Sequence, residues 1–158
     1  MVQLARHRSC IVTTIPPHIR FRVARERLGL SAHEVAARCD IQPIDVWEIE
    51  GLEGDLESCY TPRQVQNFCQ ALGIRPIDLF GDGISEAPVS ADYLVQLIHA
   101  ECQLRGVTLE QFEDVIEWRS LGSIIEPPEK LLEFIRINSL QRLCQALRID
   151  WRRILLSI

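Results

Sequence analysis

The chain has 158 residues, 47% of them apolar and 25% charged, which excludes wholesale disorder and leaves room for one domain or two small ones. Its net charge of −5 excludes the uniformly basic surface that is the usual footprint of a duplex-DNA binder. Its longest apolar runs, such as Ile154-Leu155-Leu156, are far short of the ~20 residues a membrane helix needs, so no membrane association is expected.

The charge is unevenly placed. Residues 1–38 hold seven Arg against Glu26 and Glu34, whereas the remainder holds ten Lys and Arg against twenty Asp and Glu. The N-terminus lacks the basic-then-apolar order of a signal peptide, so a cytoplasmic location is expected.

Ser9 through Ile15 is rich in β-branched residues and predicts an extended N-terminal segment over 1–16, closed by Pro16 and Pro17. With no evident partner strand in its own chain, that segment is expected to pair with another chain or to lie on the helices. From His18 to Leu28 the spacing predicts a helix with Ile19, Val23 and Leu28 inward, stopped by Gly29. Ser31 and Glu34 form a capping box for a short helix that turns Val35 and Ala36 inward. Pro43 suits the first turn of a third helix, which carries Val46 and Ile49 inward and ends near Gly51. An acidic, Gly-rich loop over 51–57 follows. Thr61 and Pro62 then cap a longer helix through Val65, Phe68, Cys69 and Leu72 to Gly73, and Ile74 to Phe80 makes a last helical turn. Residues 17–82 thus read as one domain and 83–89 as a linker.

The stretch 90–158 follows the same plan in weaker form. Leu94, Leu97, Ile98 and Cys102 mark a helix ending near Gly106, and Thr108 with Gln111 makes a second capping box. Phe68-Cys69-Gln70-Ala71-Leu72-Gly73-Ile74 returns as Leu143-Cys144-Gln145-Ala146-Leu147-Arg148-Ile149, identical at five of seven positions. That echo is offset by 75 and the capping boxes by 77, as a repeat with a two-residue deletion would give. The fold class is therefore read as all-α.

The six cysteines show no Cys-x-x-Cys pair and His7, His18, His33 and His99 are scattered, so free thiols are expected, with Cys69, Cys102 and Cys144 in the core. There is no phosphate loop, nucleophile elbow or metal-ligand cluster, so no enzymatic activity, metal or cofactor is expected.

Several further residues carry a family likeness: Arg25-Glu26-Arg27-Leu28-Gly29-Leu30-Ser31, then Glu34, Ala36 and Ile41, then Ile49-Glu50, Gln70-Ala71-Leu72-Gly73-Ile74 and Leu79-Phe80. In order and spacing, residues 19–80 resemble the Xre/Cro-repressor helix-turn-helix family, whose members are mostly bacterial and phage DNA-binding regulators, including antitoxins. The resemblance implies a lambda-repressor-like helix-turn-helix domain, followed here by a degenerate second helical copy. It also implies an ion pair between Arg25 and Glu50 beneath the third helix, which in such domains lies in the major groove.

By that resemblance the base-facing positions are Gln42, Pro43, Ile44, Asp45 and Glu48, of which only Gln42 is suited to reading a base. Ala32 replaces the polar residue with which the family usually contacts phosphate, and the loop after the third helix is acidic at Glu53, Asp55 and Glu57. Trp47 falls where the family is usually polar and is read as a contact residue or a cover for the second repeat. Trp118 and Trp151 are read as core or inter-repeat packing. Arg20, Arg22 and Arg27 are read as a basic patch or a solvated helix face.

The expected function is a regulatory or scaffold protein using this fold mainly for protein–protein interaction through Gln42, Ile44, Asp45, Trp47 and Glu48. A DNA-binding regulator or antitoxin of the Xre type is the alternative, and a homodimer is left open.

Overall fold

Proline and hydroxyl caps cut the chain into short helices. The computed structural model describes residues 15–81 and 87–158, and among them all regular structure is helical, as expected. The extended segment predicted over 1–16 lies outside the described residues apart from Ile15 and Pro16, as does most of the linker.

The first half comprises α1 (Pro17–Arg27), α2 (Ala32–Cys39), α3 (Pro43–Gly51), α4 (Asp55–Cys59), α5 (Pro62–Leu72) and α6 (Pro76–Phe80). Proline occupies the first turn of α1, α3, α5 and α6, where its missing N–H costs no helical bond. At α2 the Glu34 amide donates to the Ser31 hydroxyl (3.2 Å) and the Ser31 amide to the Glu34 carboxylate (2.7 Å), completing the capping box.

The core of this half gathers Phe21, Val35, Val46, Ile49, Leu56, Val65, Phe68 and Leu79. Phe68 meets both Phe21 and Tyr60 edge-on, at ring separations of 6.0 and 5.0 Å.

Two expectations are corrected here. The inward residues of α1 are Phe21 and Ala24, whereas Val23 and Leu28 are exposed and Ile19 is half-buried. Burying the large Phe21 ring outweighs burying Val23, and that rotation also turns Arg22 and Arg25 toward the end of α3. Second, the acidic stretch is only partly a loop. Gly54, at φ 85°, reverses the chain into α4, whose Leu56 is fully buried.

The second half comprises α7 (Ala91–Arg105), α8 (Leu109–Val115), a 3₁₀ turn (Leu121–Ser123), α9 (Glu129–Phe134), α10 (Ile137–Ala146) and α11 (Arg152–Leu155). Leu94, Ile98, Phe112, Leu131, Leu140, Leu143 and Ile154 form its core. Val89, placed in the linker by sequence, belongs to this core. Its amide donates to the Arg153 carbonyl at 3.1 Å.

Helix endings recur along the chain. Left-handed residues stand at Gly29 and Gly106, at Asp40 and Glu117, and at Gly73 and Arg148. After each, the next amide folds back onto the helix: Leu30 to Arg25, Val107 to Cys102, Ile41 to Ala36, Trp118 to Glu113, Ile74 to Cys69 and Ile149 to Cys144. The first two pairs are 77 positions apart and the third 75, the same offsets as the sequence motifs. An open cleft lined by Arg38, Cys39, Asp40, Asn67, Gln70 and Ala71 matches, at those offsets, one lined by Val115, Ile116, Glu117, Arg142, Gln145 and Ala146. The positions that would match α3 hold no α-helix. Residues 116–128 contain only the 3₁₀ turn.

Across the halves, α4 packs on α10, α5 on α9 and α6 on α11. Since α9, α10 and α11 are offset from α4, α5 and α6 by about the same amount, the first two contacts are reciprocal, as in a two-fold pair. Ile137 inserts into the first core and its amide donates to the Tyr60 carbonyl at 3.0 Å. The position matching Ile137 is Pro62, which has no N–H to return that bond. The Trp151 and Phe80 rings meet edge-on at 5.1 Å, so Trp151 packs between the halves, and Trp118 lies against the second core.

Candidate functional site

The geometry of α3 is set at its first turn. Pro43 supplies the helical φ, and the Asp45 carboxylate accepts from the Gln42 amide at 2.8 Å. Asp45 is thus engaged in holding the helix start, a use beyond the contact role predicted for it. Val46 and Ile49 face inward, which leaves Ile44, Trp47, Glu48 and Gly51 along one outer stripe. Ile44 is 50% and Trp47 52% exposed. Gln42 and Glu48 are exposed beside them, so the structure brings the predicted residues of this face together.

Trp47 does not cover the second half. Its indole stands against the His33 imidazole of α2, edge-on at 5.9 Å. His33 is a neighbour that spacing alone did not indicate, because the contact joins two helices.

Asp45 and Glu48 are the carboxylates that α3 carries beside this stripe and on it. Burial pushes the Tyr60 phenol up, and the charges of Asp45, Asp55, Cys59 and Glu48 raise it further. Glu57 is half-buried in α4, and burial raises its carboxyl above the usual range. Glu53 and Asp55 add to that rise, while nearby His18 opposes it.

The arginines of the first half are turned elsewhere. The Arg25 guanidinium meets the buried Glu50 carboxylate through two bonds, Nε to Oε1 at 2.5 Å and Nη2 to Oε2 at 2.8 Å, and gives a third to the Leu30 carbonyl. Its hydrogen bond to Glu50 is the main reason its pKa lies above the ordinary value. Arg22 donates to the Glu50 carbonyl, closing the end of α3. Arg20 donates to the carbonyls of Ile15 (2.9 Å) and Asp78 (3.0 Å), and Arg38 to that of Ala71 (3.2 Å).

The predicted patch of Arg20, Arg22 and Arg27 is therefore not one surface. Arg20 and Arg27 flank an apolar groove with Val23 and Ile74, whereas Arg22 serves α3. Residues two apart on a helix point to different sides.

The five cysteines among the described residues are free thiols, and Cys69, Cys102 and Cys144 are buried as expected. Burial pushes the Cys69 and Cys144 thiols up to about 12, which disfavours the reactive thiolate. Among the described residues no helix is long and apolar enough to cross a membrane.

Comparison with protein-family models, with curated proteins and with solved structures finds no match to this chain.

Proposed function

We propose that residues 17–82 are a lambda-repressor-like helix-turn-helix unit of the Xre/Cro kind and residues 90–158 a degenerate second copy. On this reading the chain is a non-enzymatic regulatory or scaffold protein, cytoplasmic, whose α3 face binds another protein. The carrying observation is the pair Ile44 and Trp47, both half-exposed on the outer stripe of α3 with the exposed Glu48 beside them. An apolar, aromatic centre with a polar rim has the make-up of a contact hot spot.

The recurring helix endings and the matching clefts support the duplication. The reciprocal contacts support a second copy seated where a partner subunit would sit. Helix-turn-helix dimers read two half-sites with two recognition helices. Here only the first half carries the helix, which counts against groove reading. Phosphate approach is opposed further by Asp45, Glu48, Glu53, Asp55 and Glu57, while Arg20, Arg22, Arg25 and Arg38 are held by carbonyls or by Glu50.

Binding of a labelled random duplex at low salt, followed by fluorescence anisotropy, tests this reading. The expected dissociation constant is no tighter than about the micromolar range of weak non-specific association. A nanomolar, sequence-specific complex lost on Gln42→Ala would instead establish the DNA-binding regulator or antitoxin.

A further inference from the structure

The α3 face carries information about the charge of what it binds. Its centre is the Ile44–Trp47 pair, with the exposed Glu48 beside it on the same stripe and the exposed Glu53 just past the end of the helix. The guanidinium of Arg22 donates to the Glu50 carbonyl at the helix end and that of Arg38 to the Ala71 carbonyl of α5, so both already hold partners within the chain. An anionic partner would meet repulsion on approach. A neutral apolar partner would leave the carboxylates facing an uncharged surface at a cost in lost hydration.

We infer that the α3 face receives a cationic polypeptide segment, Lys- or Arg-rich, with one or two apolar side chains that seat against Ile44 and Trp47. This deepens the interaction reading proposed above and rests on it. The apolar contacts give the complex its lifetime, and the charge complementarity sets its encounter rate and excludes acidic competitors. The half-exposed indole adds a place for a Lys or Arg head group to lie against an aromatic ring.

The test uses the full chain and a labelled peptide of three Leu-Lys-Lys-Leu units, with a Leu-Glu-Glu-Leu peptide and a random duplex as comparators. Anisotropy should show saturable binding of the Lys peptide alone, weakening as salt is raised. Trp47→Ala and, separately, Glu48→Lys with Glu53→Lys should each weaken it by about tenfold. Glu129→Lys with Glu133→Lys, two exposed positions on α9, should change it less than about twofold. Circular dichroism of each variant should match the parent.

Absent binding, or binding indifferent to the α3 substitutions, overturns the inference. Acidic-peptide binding that is lost on Trp47→Ala overturns the charge class and leaves the interaction reading standing. Duplex binding lost on Gln42→Ala overturns that reading itself.

Discussion

Arg25 of α1 and Glu50 of α3 lie 25 positions apart and meet through two parallel hydrogen bonds of 2.5 and 2.8 Å. Glu50 is the buried end of this pair, and Arg22 caps its carbonyl from the same helix. One carboxylate thus ties the first helix to the end of the third.

Removing one member of this pair should cost more than its attraction alone, because the other is left charged and poorly hydrated. Arg25→Ala and Glu50→Ala are each expected to lower unfolding free energy by about 3 kcal/mol in urea titrations. The paired replacement Arg25→Met with Glu50→Leu should cost less than the sum of the two. Additive losses would show that the two side chains do not act together.

Trp47 is half-exposed, and its one described ring neighbour is His33. Trp47→Ala should therefore change stability by about 1 kcal/mol or less while weakening partner binding by about tenfold. Arg20→Ala should have the smaller effect on binding, since Arg20 serves the Ile15 and Asp78 carbonyls away from α3. Comparison of melting curves with peptide titrations separates the two effects.

Ile137 belongs to the second half by chain order and to the first core by packing. Thermal unfolding followed by Trp fluorescence and by far-ultraviolet circular dichroism should give coincident transitions, with the halves melting as one. Ile137→Ala should cost about 2–4 kcal/mol and lower both signals together. Two separated transitions in the parent chain would show that the halves are independent.

Glu57 and Asp78 should respond to pH with opposite signs. Burial raises the folded Glu57 carboxyl above its unfolded value, so its ionisation opposes folding above the folded pKa and that cost vanishes as pH falls. Glu57→Gln is expected to stabilise the protein at neutral pH and to match the parent in acid. Hydrogen bonds from Arg75 hold Asp78 below the usual carboxylate range. Its contribution is present above the unfolded pKa and is lost as pH falls through the folded one. Asp78→Asn should therefore destabilise at neutral pH only, and only slightly for so exposed a pair. Midpoints measured from pH 3 to 8 check both signs.

Most helix boundaries were legible in the residues themselves, because caps are local. Ser31 and Glu34, Thr61 and Gln64, and Thr108 and Gln111 each satisfy amides within one turn of their own helix. The endings at Gly29, Gly73 and Gly106 need only a left-handed residue. The exposure of Ile44 and Trp47 followed from the same logic, since burying Val46 and Ile49 leaves no other side for them.

Tertiary packing decided the rest. The spacing of Ile19, Val23 and Leu28 describes an apolar stripe on α1, yet the helix turned to bury Phe21 against Phe68, a residue 47 positions away. Helix α4 formed inside an acidic, Gly-rich stretch because Leu56 finds a core and α10 a surface to pack on, neither visible within five residues. The separate partners of Arg20 and Arg22 depend on where the Asp78 and Glu50 carbonyls lie, which is set by other helices. Local hydrogen bonding is encoded by neighbours in the chain. The rotation of a helix about its own axis is chosen by whichever distant partner buries the most apolar surface.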